Sequence, residues 1–182
     1  MEKKNIKIFL ICGKARHGKD TVAKIIKEKY EMDNLKSITL SYAYYIKDYA
    51  KRITNWDGSD DTKPRELLQQ LGTNIIRKNI DDKLFIRRMI EDIKVFSYYY
   101  DIAIISDGRF KAEIDTIRDE FSDVCVIHVE RPDFDNGLTE EQKKHPTEVD
   151  LDDYDKYDYK ILNDGSISDL ENKISDILKE VK

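Results

Sequence analysis

Gly13-Lys14-Ala15-Arg16-His17-Gly18-Lys19-Asp20 has the spacing of a phosphate-wrapping loop, G-x-x-x-x-G-K-[ST], except at its last position. Glycines at 13 and 18 let the backbone approach an anion closely enough for N–H groups to point at phosphate oxygens. The amides of Ala15 and Arg16 belong to that cradle. A helix starting at Lys19 adds the partial positive charge of its N-terminus. Lys19 itself supplies a full charge for the β- and γ-phosphates of a triphosphate. Asp20 stands where a Ser or Thr hydroxyl would hold Mg²⁺; a carboxylate is also a hard oxygen ligand, able to hold the ion directly or through water. Thr21 is placed to donate to a phosphate. His17 is expected to face solvent.

A second group follows the apolar run Ile102 to Ser106 as Asp107-Gly108-Arg109. An acid at the end of a buried strand lies on the ligand-binding edge of a sheet, where Asp107 would hold Mg²⁺ through its waters. Arg109 would face the transferring phosphates with a fork of donors. Read without the loop, the same residues are a helix cap and a surface arginine. Arg65 and Gln69 are four apart and share a helix face, so Arg65 could grip an acceptor phosphate while Gln69 reads a base. Lys47 and Arg87 are further phosphate candidates, although composition alone makes each an ordinary surface charge. Arg131 is the last arginine in the chain and opens a polar excursion. Asn163-Asp164-Gly165 follows the last strand, either near a nucleotide base or as a plain turn before a capped helix.

These residues need a frame, and the chain alternates strand and helix patterns. Strands are expected at Ile6 to Cys12, Ser37 to Leu40, Ile102 to Ser106, Val124 to Val129 and Tyr159 to Leu162. Helices are expected over about 19–30, 42–54, 64–80 and 81–98, for some ten residues from Phe110, and from Ile167 to Val181. Alternation of this kind gives a mainly parallel sheet covered by helices, a three-layer α/β/α fold with five strands. Residues 42–98 hold helices without a strand and form an insertion able to carry substrate contacts. Residues 131–153 are polar and read as a short lid. The core is then 1–41, 99–130 and 154–182, within one domain. Tyr98 to Tyr100 read as core and helix-end packing.

Composition bounds the rest. The chain has 182 residues, 38% of them charged, and a net charge of −5. A broad basic surface for nucleic acid is not expected, because such binding needs clustered Lys and Arg. Cys12 and Cys125 lie in apolar strand patterns and read as buried free thiols. No run of about 18 apolar residues suggests a membrane span. Met1 to Lys4 lead directly into the first strand without a cleavable leader, which reads as cytoplasmic.

Taken together, the motifs resemble the phage-type deoxynucleoside monophosphate kinases, within the adenylate-kinase-like P-loop kinases. The resemblance is carried by GKARHGKDT at 13–21, RELLQQLGT at 65–73, SDGR at 106–109 with Glu113, VIHVERP at 126–132, His145-Pro146-Thr147-Glu148, and ILNDGS at 161–166. It implies ATP with Mg²⁺, a deoxynucleoside monophosphate acceptor, and division into core, helical acceptor-binding region and lid. It implies that Lys19 holds the donor phosphates and that Arg65, Arg109 and Arg87 hold the acceptor phosphate. Gly72 and Thr73 would line the base pocket, and Asn163 would lie near adenine. The lid has a single arginine, so Lys143 or Lys144 would share its task. His145 and Glu148 have no role beyond meeting substrate on closure.

The expected chemistry is in-line transfer, with Lys19, Arg109, Arg131 and Mg²⁺ neutralising charge. Two alternatives stay open. One keeps the chemistry on another phosphorylated acceptor, phosphomevalonate or dephospho-coenzyme A. The other is a GTPase-like switch, which Asn172-Lys173-Ile174-Ser175 does not support, since the guanine-reading pattern fails at its last position. Base preference, sugar preference and the choice between monomer and homodimer are left open.

Overall fold

The computed structural model describes residues 4–59 and 61–181; the expected lead-in over Met1 to Lys3 lies outside these. Strand β1 (Lys7–Cys12) runs into helix α1 (Lys19–Met32), then β2 (Ser37–Leu40) and α2 (Ala43–Thr54). Helix α3 (Arg65–Gln69) continues without a break as a π-helix over Gln70–Ile80, and α4 (Leu84–Phe96) leads to β3 (Ile102–Gly108). Helix α5 (Lys111–Glu120), β4 (Val124–Glu130), the short α6 (Glu140–Lys143) and α7 (Pro146–Val149), β5 (Tyr159–Leu162) and α8 (Ile167–Glu180) complete the chain.

The strands form one parallel sheet in the order β2-β3-β1-β4-β5. Its apolar runs bury both faces, as covered parallel sheets require. Because side chains alternate along a strand, Ile8, Leu10 and Cys12 of β1 face α4 and α5, against Phe85, Met89, Ile114 and Ile117. Phe9 and Ile11 face α1 and α8, against Val22, Ile26, Leu170 and Ile174. Both cysteines are buried and free, as expected. Strand β1 sits between β3 and β4, so connections leave it in both directions. That switch point opens a crevice beyond the carboxyl ends of the strands.

Two local expectations are corrected. The helix over 64–80 is not α-helical throughout. Its wide turn is seen in Asp81 N–H donating to Ile76 O, five residues back, at 2.8 Å. Gly72 makes room for it, since a Cβ there would lie 2.9 Å from Ile46 Cδ1. Next, only Tyr100 of the tyrosine cluster packs edge-on against Phe96, at 5.9 Å between ring centres. Tyr98 and Tyr99 stay exposed because the chain has already turned away from the core. The polar excursion after β4 contains the short helices α6 and α7. Among the described residues no helix is long and apolar enough to cross a membrane.

Candidate active site

The loop Gly13–Gly18 leaves β1 at the switch point and enters α1. Gly13 has φ +141°, and a Cβ there would lie 2.3 Å from the Val129 carbonyl oxygen on β4. The loop is therefore pressed against a backbone, and glycine is demanded by contact as well as by conformation. Gly18 (φ +100°) caps α1 in a left-handed conformation. A Cβ at Gly18 would meet Asn163 Nδ2 at 2.5 Å. Asn163 Nδ2 donates to His17 O at 3.0 Å. In this structure Asn163 thus holds the loop's second half in place.

Lys19 is buried beneath the loop, and its Nζ donates to Lys14 O at 2.7 Å. Burial, reinforced by the positive charge of Arg109, lowers the Lys19 ammonium from 10.5 to about 7. An added triphosphate would oppose both effects and restore the charged form. His17 does not face solvent, which corrects the expectation. Its Nδ1 accepts from Arg131 N–H at 3.2 Å, and the ring is 9% exposed. Burial, reinforced by the positive charge of Lys19, lowers the pKa of the imidazole. Asp20 is exposed on the first turn of α1, and Thr21 follows it half-buried.

Residues 131–150 fold back over this loop. Arg131 stacks its guanidinium on Phe134 at 4.0 Å, and Arg16 Nη1 donates to Asn136 O at 2.7 Å. His145 caps α7 by accepting from Thr147 N–H, and Pro146 occupies the first helical position. This small capped turn delivers Glu148. One oxygen of its carboxylate accepts from Ala15 N–H of the loop at 2.9 Å, and the other pairs with Arg109 Nη1 at 2.9 Å. A carboxylate thus sits between a cradle amide and the arginine expected to face phosphate. Lys14, His17, Arg131, Phe134, Lys143 and Glu148 line an open cavity of about 460 Å³ beside it.

Asp107 lies at the end of β3 as expected, but its oxygens are taken. Ser41 Oγ and Ala43 N–H donate to Oδ2 at 2.7 and 2.9 Å, and Tyr42 N–H to Oδ1 at 2.9 Å. The plain alternative, a carboxylate capping a helix start, describes this geometry; the helix is α2. One lone pair on Oδ1 is left, enough to accept from a water on Mg²⁺. With the solvent-facing carboxylate of Asp20, the donor set suits an ion held largely through its own waters.

The structure does not bring every candidate together. Arg65 is exposed on α3. Arg87 is exposed on α4 and paired with Asp81. Gln69 and Lys47 are half-buried, and Thr73 is buried. The residue that sequence reasoning missed is Arg77, on the π-helix. Its Nη2 pairs with Glu113 at 2.9 Å, its Nη1 donates to Gly72 O at 3.2 Å, and it stacks over Phe110 at 4.2 Å. Spacing offered one signal, because Arg77 lies five residues after Gly72, which is one π-turn rather than one α-turn.

Residues 36–174 match the family described as deoxynucleotide monophosphate kinase. The chain belongs to that family. It is 36% identical over 121 residues to the deoxynucleotide monophosphate kinase of Enterobacteria phage T4, covering 66% of this chain and 47% of the relative. It is 34% identical over 152 residues to the deoxynucleotide monophosphate kinase of Escherichia phage RB69, covering 80% of this chain and 57% of the relative. The chain thus spans about half the length of the curated relatives it matches. Among solved structures it is similar to Mycobacterium tuberculosis APS kinase CysC in complex with AMPPNP and APS. That likeness has a TM-score of 0.59 at 12% identity, over 97% of this chain and 99% of the other. It is also similar to dephospho-CoA kinase from Campylobacter jejuni, with a TM-score of 0.53 at 17% identity over 100% and 99% of the two chains. At such identities the likeness carries the P-loop kinase fold and nothing finer. In this member of the deoxynucleotide monophosphate kinase family Asp20 follows Lys19, and the Glu148 carboxylate rests against the Ala15 amide of the loop.

Proposed function

We propose that the chain transfers the γ-phosphate of ATP to a deoxynucleoside 5′-monophosphate, giving the diphosphate. The observation that carries this reading is the convergence of the Ala15 amide and Arg109 on one carboxylate, that of Glu148, whose charge also acts on the buried Lys19. Cationic and amide donors aimed at a single anion from the P-loop side and the β3 side suit a donor phosphate meeting an acceptor phosphate. The names of the phage relatives support the choice of acceptor.

The acceptor's phosphate oxygen is already anionic, so transfer needs alignment and neutralisation rather than a strong base. Lys19 and the loop amides hold the donor phosphates. Arg109 bridges toward the acceptor, and Arg131 approaches from the lid over residues 131–153. Mg²⁺, held through its waters by Asp20 and Asp107, would neutralise phosphate charge. Arg65, Gln69, Gly72, Thr73, Lys47 and Arg87 belong to the acceptor-binding region over 42–98, where Arg65 and Arg87 reach substrate only when that region closes. Asn163 lies at the adenine side. The activity is that of a cytoplasmic enzyme acting on small nucleotides.

Glu148 occupies the cradle as phosphate would, so a nucleotide must displace it. Glu148→Gln is expected to tighten ATP binding about tenfold, the effect of removing one charge-assisted competitor worth some 1.5 kcal/mol. Titration calorimetry without acceptor reads this directly. An unchanged or weaker affinity would mean that the carboxylate helps to bind nucleotide.

The reaction is tested by an ATP-dependent screen of dAMP, dGMP, dCMP, dTMP and their ribose counterparts with ADP detection. Phosphomevalonate, dephospho-coenzyme A and GTP without acceptor serve as the contrasting arms. Turnover with a deoxynucleotide is expected. Turnover only with one of the contrasting substrates overturns the proposal.

A further inference from the structure

Glu113 is 1% exposed, on the first turn of α5, and its carboxylate meets the candidate site only through the backbone of Arg109. One carboxylate oxygen accepts from Arg109 N–H at 2.8 Å and Phe110 N–H at 3.1 Å. The other accepts from Arg77 Nη2 at 2.9 Å. The two amides belong to the turn between β3 and α5, whose side chain Arg109 projects toward Glu148 and the phosphate loop. Arg77 comes from a different element. Its guanidinium is held flat over Phe110 at 4.2 Å and beside Phe85 at 5.3 Å, and it donates to Gly72 O of the π-helix.

A buried carboxylate that accepts from three donors is costly unless all three are kept. Burial already pushes the Glu113 carboxyl up to about 7 against the opposing charge of Arg77, so losing Arg77 favours its protonation, and losing Glu113 leaves a half-buried guanidinium without its carboxylate. The pair therefore resists sliding of the π-helix relative to the β3–α5 turn. The Gly72 carbonyl accepts from the Arg77 side chain, and Gly72 adjoins the proposed base pocket at Thr73. A rigid path thus runs from Gly72 through Arg77 and Glu113 to the backbone of Arg109.

We propose that Arg77 and Glu113 are positioning residues that couple acceptor seating on the π-helix to placement of the Arg109 guanidinium. This rests on the proposed function for the acceptor side of the crevice. Neither residue touches substrate. They act through the position of Arg109.

The test uses the full chain with Glu113→Gln, Arg77→Met and the double variant. Glutamine keeps the shape and one acceptor oxygen. Methionine keeps an apolar stem between the two rings if the glutamine variant folds poorly. With the best deoxynucleotide acceptor, each single variant is expected to raise acceptor KM and lower kcat by about tenfold or more, with ATP KM within twofold of wild type. The double variant should be no worse than the more damaged single one, because both act through one path. Unchanged acceptor KM and kcat, equal losses toward ATP and acceptor, or additive losses would overturn the inference. If wild type phosphorylates no acceptor, the reading of function fails. Hydrogen exchange then still decides the inference. Amides 109 and 110 should exchange at least tenfold faster in Glu113→Gln and faster in Arg77→Met, and wild-type protection in both would overturn it.

Discussion

Lys19→Met should lower phosphoryl transfer by about 10³-fold, the scale of removing one preorganised donor to a developing charge. The fold should survive, because methionine fills the same buried channel and discards only the ammonium. Stability should rise rather than fall at low pH. In the empty protein the Lys19 pKa is depressed to about 7 from 10.5, mainly by burial. Below pH 7 the folded protein carries the full burden of burying that charge. Between about pH 7 and 10.5 the unfolded chain binds more protons, so wild-type stability gains with pH. The margin of the methionine variant over wild type should therefore be widest below pH 7 and shrink toward pH 10. Steady-state turnover and urea midpoints at several pH values measure both limbs. Retained turnover would remove Lys19 from the mechanism, and a margin that grew with pH would contradict its burial as a charge.

Gly13→Ala should be the most damaging single methyl in the chain. The added Cβ would lie 2.3 Å from the Val129 carbonyl oxygen, at a φ of +141° that side chains rarely adopt. The neighbour is not the flexible end of a side chain but the backbone of strand β4, and Gly13 is fixed at the end of the adjacent β1. The loop must lift off β4 or the strand must bend. Either costs on the order of 3 kcal/mol of stability, from strain plus a local clash. Lifting the loop also misaligns the amides of Ala15 and its neighbours, so ATP affinity should fall with stability. Gly137→Ala is the natural control, since its Cβ would meet only Arg16 Nη1, a movable guanidinium, at 2.7 Å. A Gly13→Ala urea midpoint within error of wild type would mean that the loop does not lie against Val129.

Much of the frame was legible because its signals are local. Each of the five strands is a short apolar run flanked by turn residues, and Tyr159–Leu162 was placed residue for residue. The phosphate loop was legible because its glycines answer to backbone geometry that spacing encodes. What escaped depends on partners far apart in the chain. Gly72 packs against Ile46, and Arg77 is held by Phe85, Phe110 and Glu113. No residue-type pattern marks such meetings, so sequence reasoning points to the exposed Arg87 and passes over the half-buried Arg77. Asp107 was legible as a strand-end acid, but its three donors come from the start of α2, 64–66 residues earlier. His17 looked solvent-facing because the lid amide that covers it belongs to Arg131.

A carboxylate resting in an anion cradle also sets a threshold. A ligand bringing little more charge than Glu148 itself, such as free inorganic phosphate, gains almost nothing by evicting it. A triphosphate gains a great deal. The vacant protein should then ignore the abundant small anions of its surroundings, and spent donor should be easier to expel than fresh donor. Release of spent donor would then be aided by a single glutamate, the third residue of a capped turn.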